Sequence, residues 1–315
     1  MAIPEVEYIW MNGELVPWGE AKVHVLTHAL HYGSGVFEGI RCYAAEKGAA
    51  VFRLTDHLRR LERSAKLYYM PIPYTVDQLR QATFDVIAAN GLSACYIRPL
   101  VYRGYGEMGL FPLKCPVDVI IAAWSWGAYL GEEGIAHGIR AKTSSIQSLD
   151  HTSLARAAKG TGQYLNSILA KVEVTKAGYD EAIMLNERGH VAEGSGENIF
   201  VVRDGVLATP PTADGVLEGI TRATVFDICR SEGIPCEERT LPRSDLVIAD
   251  ELFYTGTAAE IVPIREVDDH PIGEPGPLTR RIQERFRAIV EGRDSAFAHY
   301  AEYVLSPQRA RTLGS

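Results

Sequence analysis

The stretch "RAAKGTGQYLNSILAKVE", residues 156–173, places one lysine among small residues just before a predicted helix. Alanines precede Lys159, and Gly160 and Gly162 follow it. From Tyr164 onward the apolar residues recur at helical spacing, which predicts an amphipathic helix. A lysine must be neutral to attack a carbonyl carbon, and burial or nearby positive charge favours the neutral form. Small neighbours would let a flat ligand approach, but the segment alone is more typical of a solvated lysine at a helix end.

A second segment, "GHVAEGSGENIFVVRDG" at residues 189–205, places a glutamate on a glycine-rich turn before a predicted strand. Glu193 is followed by Gly194, Ser195 and Gly196. A carboxylate on such a turn can face a cleft and hold the proton on a ring nitrogen, which makes the ring a better electron sink. The alternative is an ordinary glutamate in a surface turn.

Two further segments contain candidate anion-binding groups. In "VLEGITRATVFDICR", residues 216–230, a helix is predicted to begin near Thr221, and the unpaired N–H groups of a helix start suit a phosphate. The alternative is simple capping by Thr221. In "YTGTAAEIVPI", residues 254–264, the turn around Thr257 offers N–H and hydroxyl groups to an anion, or is an ordinary tight turn.

Composition limits the classes of function that this chain can have. It has 315 residues, 46% of them hydrophobic and 23% charged, which favours two lobes rather than one core. The net charge of -8 argues against broad nucleic-acid or anionic-membrane binding. Five cysteines without a CxxC pair make a disulfide framework or a cysteine zinc site improbable, so we expect a cytoplasmic location. No segment reads as a signal peptide or a membrane span.

Several familiar motifs are present only in part. Residues 104–109 satisfy GxGxxG, but Pro112 follows where a dinucleotide site needs a helix. The histidines at positions 24, 28 and 31 have helical spacing without an acidic base nearby, so we expect hydrogen-bonded scaffold histidines and no metal. Ser195 lies in "EGSGEN", which does not match the GxSxG of hydrolases.

The chain is expected to fold as two α/β domains. We predict a small α/β domain over residues 1–128, an interdomain loop over 129–138 and a larger domain over 139–315. Asn12-Gly13 predicts a hairpin between two short strands. Helices are expected over 54–69, 76–90, 220–232 and 277–292 and after Gly162. Strands are expected over the apolar segments near 94–103, 117–126, 139–145, 181–186, 198–203, 205–210 and 251–264.

These segments together, in this order, resemble the class IV aminotransferases, which are pyridoxal-phosphate enzymes. The resemblance runs from "YIWMNGELVPWGEAKVHVLTHALHYGSGVFEGIRCY" to about residue 292 and is greatest for the branched-chain members. It includes "CYIRPL", "AAWSWGAYLG", "AAKGTGQYLNS", "EGSGENIFVV", "GITR" and "GTAAEIVPI". It implies a two-lobed class IV fold, with a small N-terminal α/β domain and a larger C-terminal pseudo-barrel domain.

The resemblance also implies roles in binding pyridoxal 5'-phosphate. Lys159 would carry the cofactor covalently and act as the catalytic base. Glu193 would bind the pyridine nitrogen and Tyr164 the 3-oxygen. Arg60 would bind the phosphate, and we prefer it to the adjacent Arg59 because of its place relative to "RLERSAK". The remaining cofactor-binding residues would be Gly196, Leu217, Gly219, Ile220, Thr221 and Thr257.

For the substrate, the resemblance implies an apolar pocket beside a carboxylate site. The residues would be Phe37, Tyr32, Tyr96, Arg98, Met108, Leu110, Trp126, Tyr129, Thr257 and Ala258. The alternative for the aromatic members is plain core packing. Tyr32 and Leu110 would reach over from a partner subunit, so a homodimer is expected at minimum, and a hexamer is left open.

The expected reaction transfers the amino group of L-leucine, L-isoleucine or L-valine to 2-oxoglutarate. A D-amino-acid or (R)-amine transaminase on the same fold is the alternative, and an aminodeoxychorismate-type lyase is less favoured. Arg103 and Tyr105, in "YRGYGEMGLFP", depart from the branched-chain pattern, which leaves fine specificity open. A homologue without activity, serving as a binding or assembly protein, is the non-enzyme alternative.

Overall fold

The computed structural model describes residues 3–127 and 130–304, without the side chain of Glu132. The chain forms two compact units. The first unit contains the residues up to Trp126, the segment Ala158–Gly162 and the segment that begins at Ala288. The second contains Gly127–Ala157 and Gln163–Arg287. Among the described residues, no helix is both long and apolar enough to cross a membrane.

The units differ from the predicted domains in two ways. Lys159 and the segment that begins at Ala288 belong to the first unit, although we placed both in the second domain. The predicted loop over 129–138 contains a helix, Gly131–His137. This helix was not predicted from the sequence, because it contains glycines and glycine disfavours helices. Packing of Ile135 against the core of the second unit compensates for that weak propensity.

Before residue 127, the predicted hairpin, two helices and two strands occur in the predicted order, together with one helix and three strands that were not predicted. The strands are β1 (Tyr8–Met11), β2 (Glu14–Pro17), β3 (Gly35–Phe37), β4 (Ile40–Ala45), β5 (Gly48–Phe52), β6 (Cys95–Arg103) and β7 (Val117–Trp124). The helices are α1 (His28–Tyr32), α2 (Leu54–Leu67) and α3 (Val76–Ala89). The helices predicted over 54–69 and 76–90 are therefore confirmed.

The later elements alternate between strands and helices. The helices are α4 (Gly131–His137), α5 (Tyr164–Lys176), α6 (Ile220–Glu232), α7 (Ser244–Val247) and α8 (Pro277–Val290). The strands are β8 (Ile139–Thr143), β9 (Glu181–Leu185), β10 (His190–Gly194), β11 (Asn198–Arg203), β12 (Val206–Thr209), β13 (Cys236–Glu238), β14 (Leu241–Pro242), β15 (Glu251–Gly256), β16 (Glu260–Val267), β17 (His270–Pro271) and β18 (Ala301–Tyr303).

The first unit is built on an eight-stranded sheet in the order β18-β5-β4-β6-β7-β1-β2, with β3 also paired to β6. Asn12 and Gly13 both have positive φ, as the predicted tight hairpin between β1 and β2 requires. Helix α2 buries Leu54, Leu58 and Leu61 completely in the core of this unit. Burial of one face thus fixes α2, and with it the side chains that α2 presents.

The second unit is built on a ten-stranded sheet in the order β13-β12-β11-β15-β16-β8-β9-β10-β14, with β17 paired to β16. Its central strands β11 and β15 are antiparallel and almost entirely buried. Asn198 lies opposite Thr255 in this pair. The register therefore brings the turn before β11 and the turn after β15 to the same end of the sheet.

Candidate active site

In the first unit, the segment Ala158–Gly162 lies alongside β3. The Phe37 N–H donates to the Lys159 carbonyl over 3.0 Å, and the Lys159 N–H donates to Ser64 Oγ over 3.0 Å. The Thr161 hydroxyl donates to the carbonyls of Gly33 and Gly35. Hydrogen bonds to strand, helix and loop thus fix the backbone on both sides of Lys159.

The glycines that flank Lys159 pack against protein groups. A Cβ on Gly160 would lie 2.9 Å from the Tyr68 hydroxyl oxygen, and a Cβ on Gly33 would lie 2.8 Å from Gly162 Cα. These contacts show that glycine is needed here where the first unit brings its own chain segments close together. The predicted room for a flat ligand beside Lys159 stays a prediction.

Several of the predicted substrate residues lie together near Lys159. Its Nζ atom is 5.1 Å from the centre of the Phe37 ring, and the Arg98 guanidinium lies over the same ring at 4.6 Å. Arg98 also donates to the Tyr96 hydroxyl, and the Tyr96 ring meets Trp126 edge to face. The described contacts therefore join an amine, a guanidinium and three aromatic rings within one unit.

Next to this group, Arg60 is held in a buried ion pair. Its guanidinium donates to both oxygens of Glu38 over 2.6 and 2.8 Å, and His57 Nδ1 lies 2.8 Å from the same carboxylate. Burial opposes ionisation of Glu38, but Arg60 and His57 outweigh it and hold the pKa of this carboxyl well below its usual value. Arg59, the neighbour that we did not choose, is exposed.

In the second unit, Glu193 is held by donors from three directions. Its Oε2 accepts from Asn198 Nδ2 over 3.1 Å and from the Leu217 N–H over 3.0 Å. Its Oε1 pairs with Arg156, which also donates to the Gly215 carbonyl. Because these partners come from separate segments, the fold itself fixes the position of the Glu193 carboxyl group.

The predicted anion-binding groups of the second unit lie at a helix start and a turn. Gly219 is the N-cap of α6 and makes no side-chain capping bond, and Thr221 is buried in the first turn. A Cβ on Gly219 would collide with the amide oxygen of Asn198, a Glu193 partner. Gly256, before Thr257, lies against Gly196. The helix start and the Thr257 turn are thus both linked to the Glu193 turn.

Other predicted residues are not part of these contacts. Tyr32 and Met108 are exposed in the first unit, and Leu110 is 88% exposed. His28 is a scaffold histidine, as predicted, with hydrogen bonds to Ser34 and the Gly109 carbonyl. Tyr129 lies outside the described residues.

Sequence analysis missed four residues that position these groups: Arg156, Asn198, Glu38 and His57. Asn198 and Glu38 lie inside motifs that we quoted, "EGSGEN" and "VFEG", and their place there was a signal. Arg156 begins the quoted stretch at residues 156–173, but nothing in that stretch indicates its partner, and His57 likewise meets Glu38 only in the tertiary structure.

Behind the Glu193 turn lies a second buried carboxyl group. Burial and the nearby charge of Glu181 raise the pKa of Glu197 to about 8, although Lys171 opposes the shift. Glu181 itself accepts from Lys171 and from the Ser195 hydroxyl, each over 2.6 Å. At neutral pH Glu197 is therefore largely protonated.

Comparison with known proteins identifies the family. The model of the family "Amino-transferase class IV" matches residues 35–267. The branched-chain-amino-acid aminotransferase of Escherichia coli is 48% identical over 295 residues, which cover 93% of this chain and 96% of that protein. The crystal structure of the Escherichia coli enzyme has a TM-score of 0.94 at 46% identity and covers 96% of this chain and 100% of that one.

A second solved structure extends the comparison. The branched-chain amino acid aminotransferase from Thermobaculum terrenum, in its PLP form, has a TM-score of 0.90 at 38% identity, covering 96% of this chain and 99% of that one. These matches confirm the predicted α/β fold class with its two sheets. The chain belongs to the class IV aminotransferases.

Proposed function

We propose that this protein is a branched-chain-amino-acid aminotransferase that uses pyridoxal 5'-phosphate. It transfers the amino group of L-leucine, L-isoleucine or L-valine to 2-oxoglutarate, giving branched 2-oxo acids and L-glutamate. The observation that carries the proposal is the match, over nearly the whole chain, to enzymes of that name at 48% identity and a TM-score of 0.94.

The residues in each unit fit the chemical groups of this cofactor. The ring nitrogen needs a fixed anion, and Glu193 is a carboxylate fixed by Arg156, Asn198 and the Leu217 N–H. The phosphate needs donors, and the start of α6 at Gly219 has no side-chain cap that would compete for its N–H groups. The donor set therefore suits a pyridine ring that carries a phosphate.

Bound pyridoxal phosphate supplies the electron sink that allows an amino acid to lose its α-proton. Lys159 would hold the cofactor through its Nζ atom and would accept the proton from the substrate Cα atom. Glu193 would hold the proton on the pyridine nitrogen, and Tyr164 would donate to the 3-oxygen. Each role needs a fixed position, which hydrogen bonds supply for the Lys159 backbone and for the Glu193 carboxylate.

We assign the phosphate to Arg60, the N–H groups of Ile220 and Thr221, and the hydroxyls of Thr221 and Thr257. Gly196, Leu217 and Gly219 shape the remaining wall of the cofactor site. The bidentate bond from Arg60 to Glu38 supports its assignment, because it fixes the plane of the guanidinium. The burial of Arg60 and the exposure of Arg59 support the choice between the two neighbours.

For the substrate, Arg98 is the proposed carboxylate-binding residue, with Tyr96 and the Thr257 and Ala258 N–H groups. Its guanidinium is held by the Phe37 and Tyr96 rings, and its buried Nε has no hydrogen-bond partner among the described residues. Phe37 and Trp126 form apolar walls. Apolar pockets separate side chains that differ by a methylene by only about 10–200-fold, so all three branched amino acids should react.

A coupled assay tests the proposal. L-leucine with 2-oxoglutarate should turn over faster than D-alanine or (R)-1-phenylethylamine with a suitable oxo acid. Faster turnover of the last two would replace the proposal with the alternative transaminase, and the absence of all three activities in the cofactor-loaded protein would refute it.

We also propose that the protein is at least a homodimer. Exposed apolar side chains cluster in two segments of the first unit: Val23, Val25, Leu26, Leu30, Tyr32, Tyr105, Met108, Leu110, Phe111 and Leu113. Such groups support an interface, across which Tyr32 and Leu110 would contribute substrate contacts. Sedimentation equilibrium separates monomer, dimer and hexamer.

The proposed cytoplasmic location can be tested by cell fractionation.

A further inference from the structure

The first unit contains a cavity that the proposed reaction does not use. Its volume is about 860 Å³, within the usual range for small-molecule sites. It is lined by Glu62, Lys66, Tyr69, Met70, Pro71, Ile72, Pro73, Arg103, Leu113, Cys115 and Val117. None of these residues is among the proposed cofactor or substrate residues.

Arg103 is the unusual member of this lining. It is 2% exposed, and its terminal nitrogens donate to the backbone carbonyls of Cys115 and Tyr69. A guanidinium has five N–H donors. Its Nε has no hydrogen-bond partner among the described residues. No ion pair between Arg103 and a carboxylate is present among these residues. Burial lowers the pKa of Arg103 because the charge is costly there.

The fold holds the Arg103 guanidinium in place despite the cost of burying its charge. Tyr69 has φ of 56°, in the left-handed region that non-glycine residues rarely adopt, and this turn presents its carbonyl to Arg103. The Arg103 backbone is fixed in β6, opposite Val117. A buried, oriented cation with unused donors is an arrangement that a ligand carboxylate would complete.

The other lining residues define the rest of the ligand. Met70, Ile72 and Val117 provide apolar walls, which suit an aliphatic side chain. Glu62 and Lys66, one helical turn apart on α2, add an exposed pair of opposite charges. We propose that this cavity, the Arg103 cavity, binds a small branched aliphatic carboxylate, whose charge meets Arg103. This site is additional to the proposed active site.

Equilibrium dialysis of the cofactor-loaded protein with radiolabelled 3-methylbutanoate tests this proposal, because the probe has neither an amine nor a keto group to react. We expect the wild type to bind one molecule more per chain than Arg103→Met and than Ile72→Trp, which fills the cavity without changing the guanidinium. The exposed Arg188→Met variant is the matched control and should bind as the wild type does.

The decisive quantity is the difference in bound 3-methylbutanoate per chain between the wild type and each cavity variant, not the total amount bound. If the proposed active site also binds the probe, the wild type binds two molecules per chain and Arg103→Met binds one. If it does not, the wild type binds one molecule per chain and Arg103→Met binds none. Equal binding by the wild type, by Arg103→Met and by the folded Ile72→Trp variant would overturn the proposal. Either of the two cavity variants is informative on its own if the other fails to fold.

A second arm separates an amino acid from an oxo acid as the natural source of the carboxylate. L-leucine is tested on the pyridoxamine phosphate form, which cannot react with amino acids. Weaker L-leucine binding by Glu62→Gln, with unchanged 3-methylbutanoate binding, identifies an amino acid whose ammonium group meets Glu62. L-leucine binding that is equal in the wild type and in Arg103→Met identifies the oxo acid. In both cases Arg103→Met must remove one molecule of bound 3-methylbutanoate.

Discussion

Two segments contain the central residues proposed to bind the cofactor, Lys159 and Glu193, and the hydrogen bonds of the two segments differ. In Ala158–Gly162 the described hydrogen bonds involve the backbone N–H and carbonyl of Lys159 and the side-chain hydroxyl of Thr161. In the Glu193 turn, they hold the side chain itself, through Arg156, Asn198 and the Leu217 N–H. The backbone of Lys159 and the carboxylate of Glu193 are therefore each fixed by the surrounding fold. In the proposed reaction the lysine amine must change partner and the carboxylate must stay in place, so a fixed backbone suits the first and a fixed side chain suits the second.

The largest expected effect is that of Lys159→Ala. Turnover of L-leucine should fall by at least about 10³-fold, because the base is lost. The melting temperature should stay close to that of the wild type, because the backbone bonds at Lys159 remain. Lys114→Ala, at an exposed site, should leave both quantities unchanged. Normal turnover in Lys159→Ala would refute the assignment.

Glu193→Gln should affect both activity and stability, unlike the lysine variant. Turnover should fall by roughly 100-fold, as for other fixed electrostatic groups. The free energy of unfolding should fall by about 1–3 kcal/mol, because Arg156 loses its charged partner. Kinetics and urea unfolding measure the two effects, with the exposed Glu187→Gln as control. A loss of activity without any loss of stability would contradict the contrast between the two segments.

Glu197 provides a test by pH within the same turn. Its folded pKa of about 8 lies above the ordinary value of 4.5, so the folded state prefers the protonated form. The resulting stabilisation is complete below about pH 4.5 and is lost as the pH rises to about 8. Across this window, the free energy of unfolding should fall by a few kcal/mol more in the wild type than in Glu197→Gln. The same pH dependence in both would contradict this assignment.

An effect on stability alone is expected at Gly33, which packs against the lysine segment. Its φ is 63°, and a Cβ there would meet Gly162 Cα at 2.8 Å. Gly33→Ala should therefore lower the free energy of unfolding by about 1–3 kcal/mol. Gly19→Ala, where a Cβ would meet nothing within 4 Å, is the matched control. Equal stability of the two variants would show that this backbone contact is not tight.

Local patterns predicted the regular elements well. The Asn12-Gly13 turn and the apolar face of α2 are decided within a few residues, so sequence periodicity was sufficient for them. Helix α4 was not predicted, because contacts with distant strands stabilise its glycine-containing sequence.

The candidate site was predicted in its motifs but not in its supporting contacts. Lys159, Glu193 and the start of α6 were expected from resemblance, and their roles remain proposals. The ion pair between Arg156 and Glu193 joins residues 37 positions apart, and that between Arg60 and Glu38 joins residues 22 apart. Such pairs leave no local pattern, because only the completed fold brings them together.

The most direct test of the central claim is to locate the lysine that carries the cofactor. The purified holoenzyme is reduced with borohydride, digested and mapped by mass spectrometry. We predict a pyridoxyl phosphate label on the peptide that contains Lys159, with none on that peptide in Lys159→Ala. A label on a different lysine of the wild type, or no label on cofactor-saturated protein, would contradict the account.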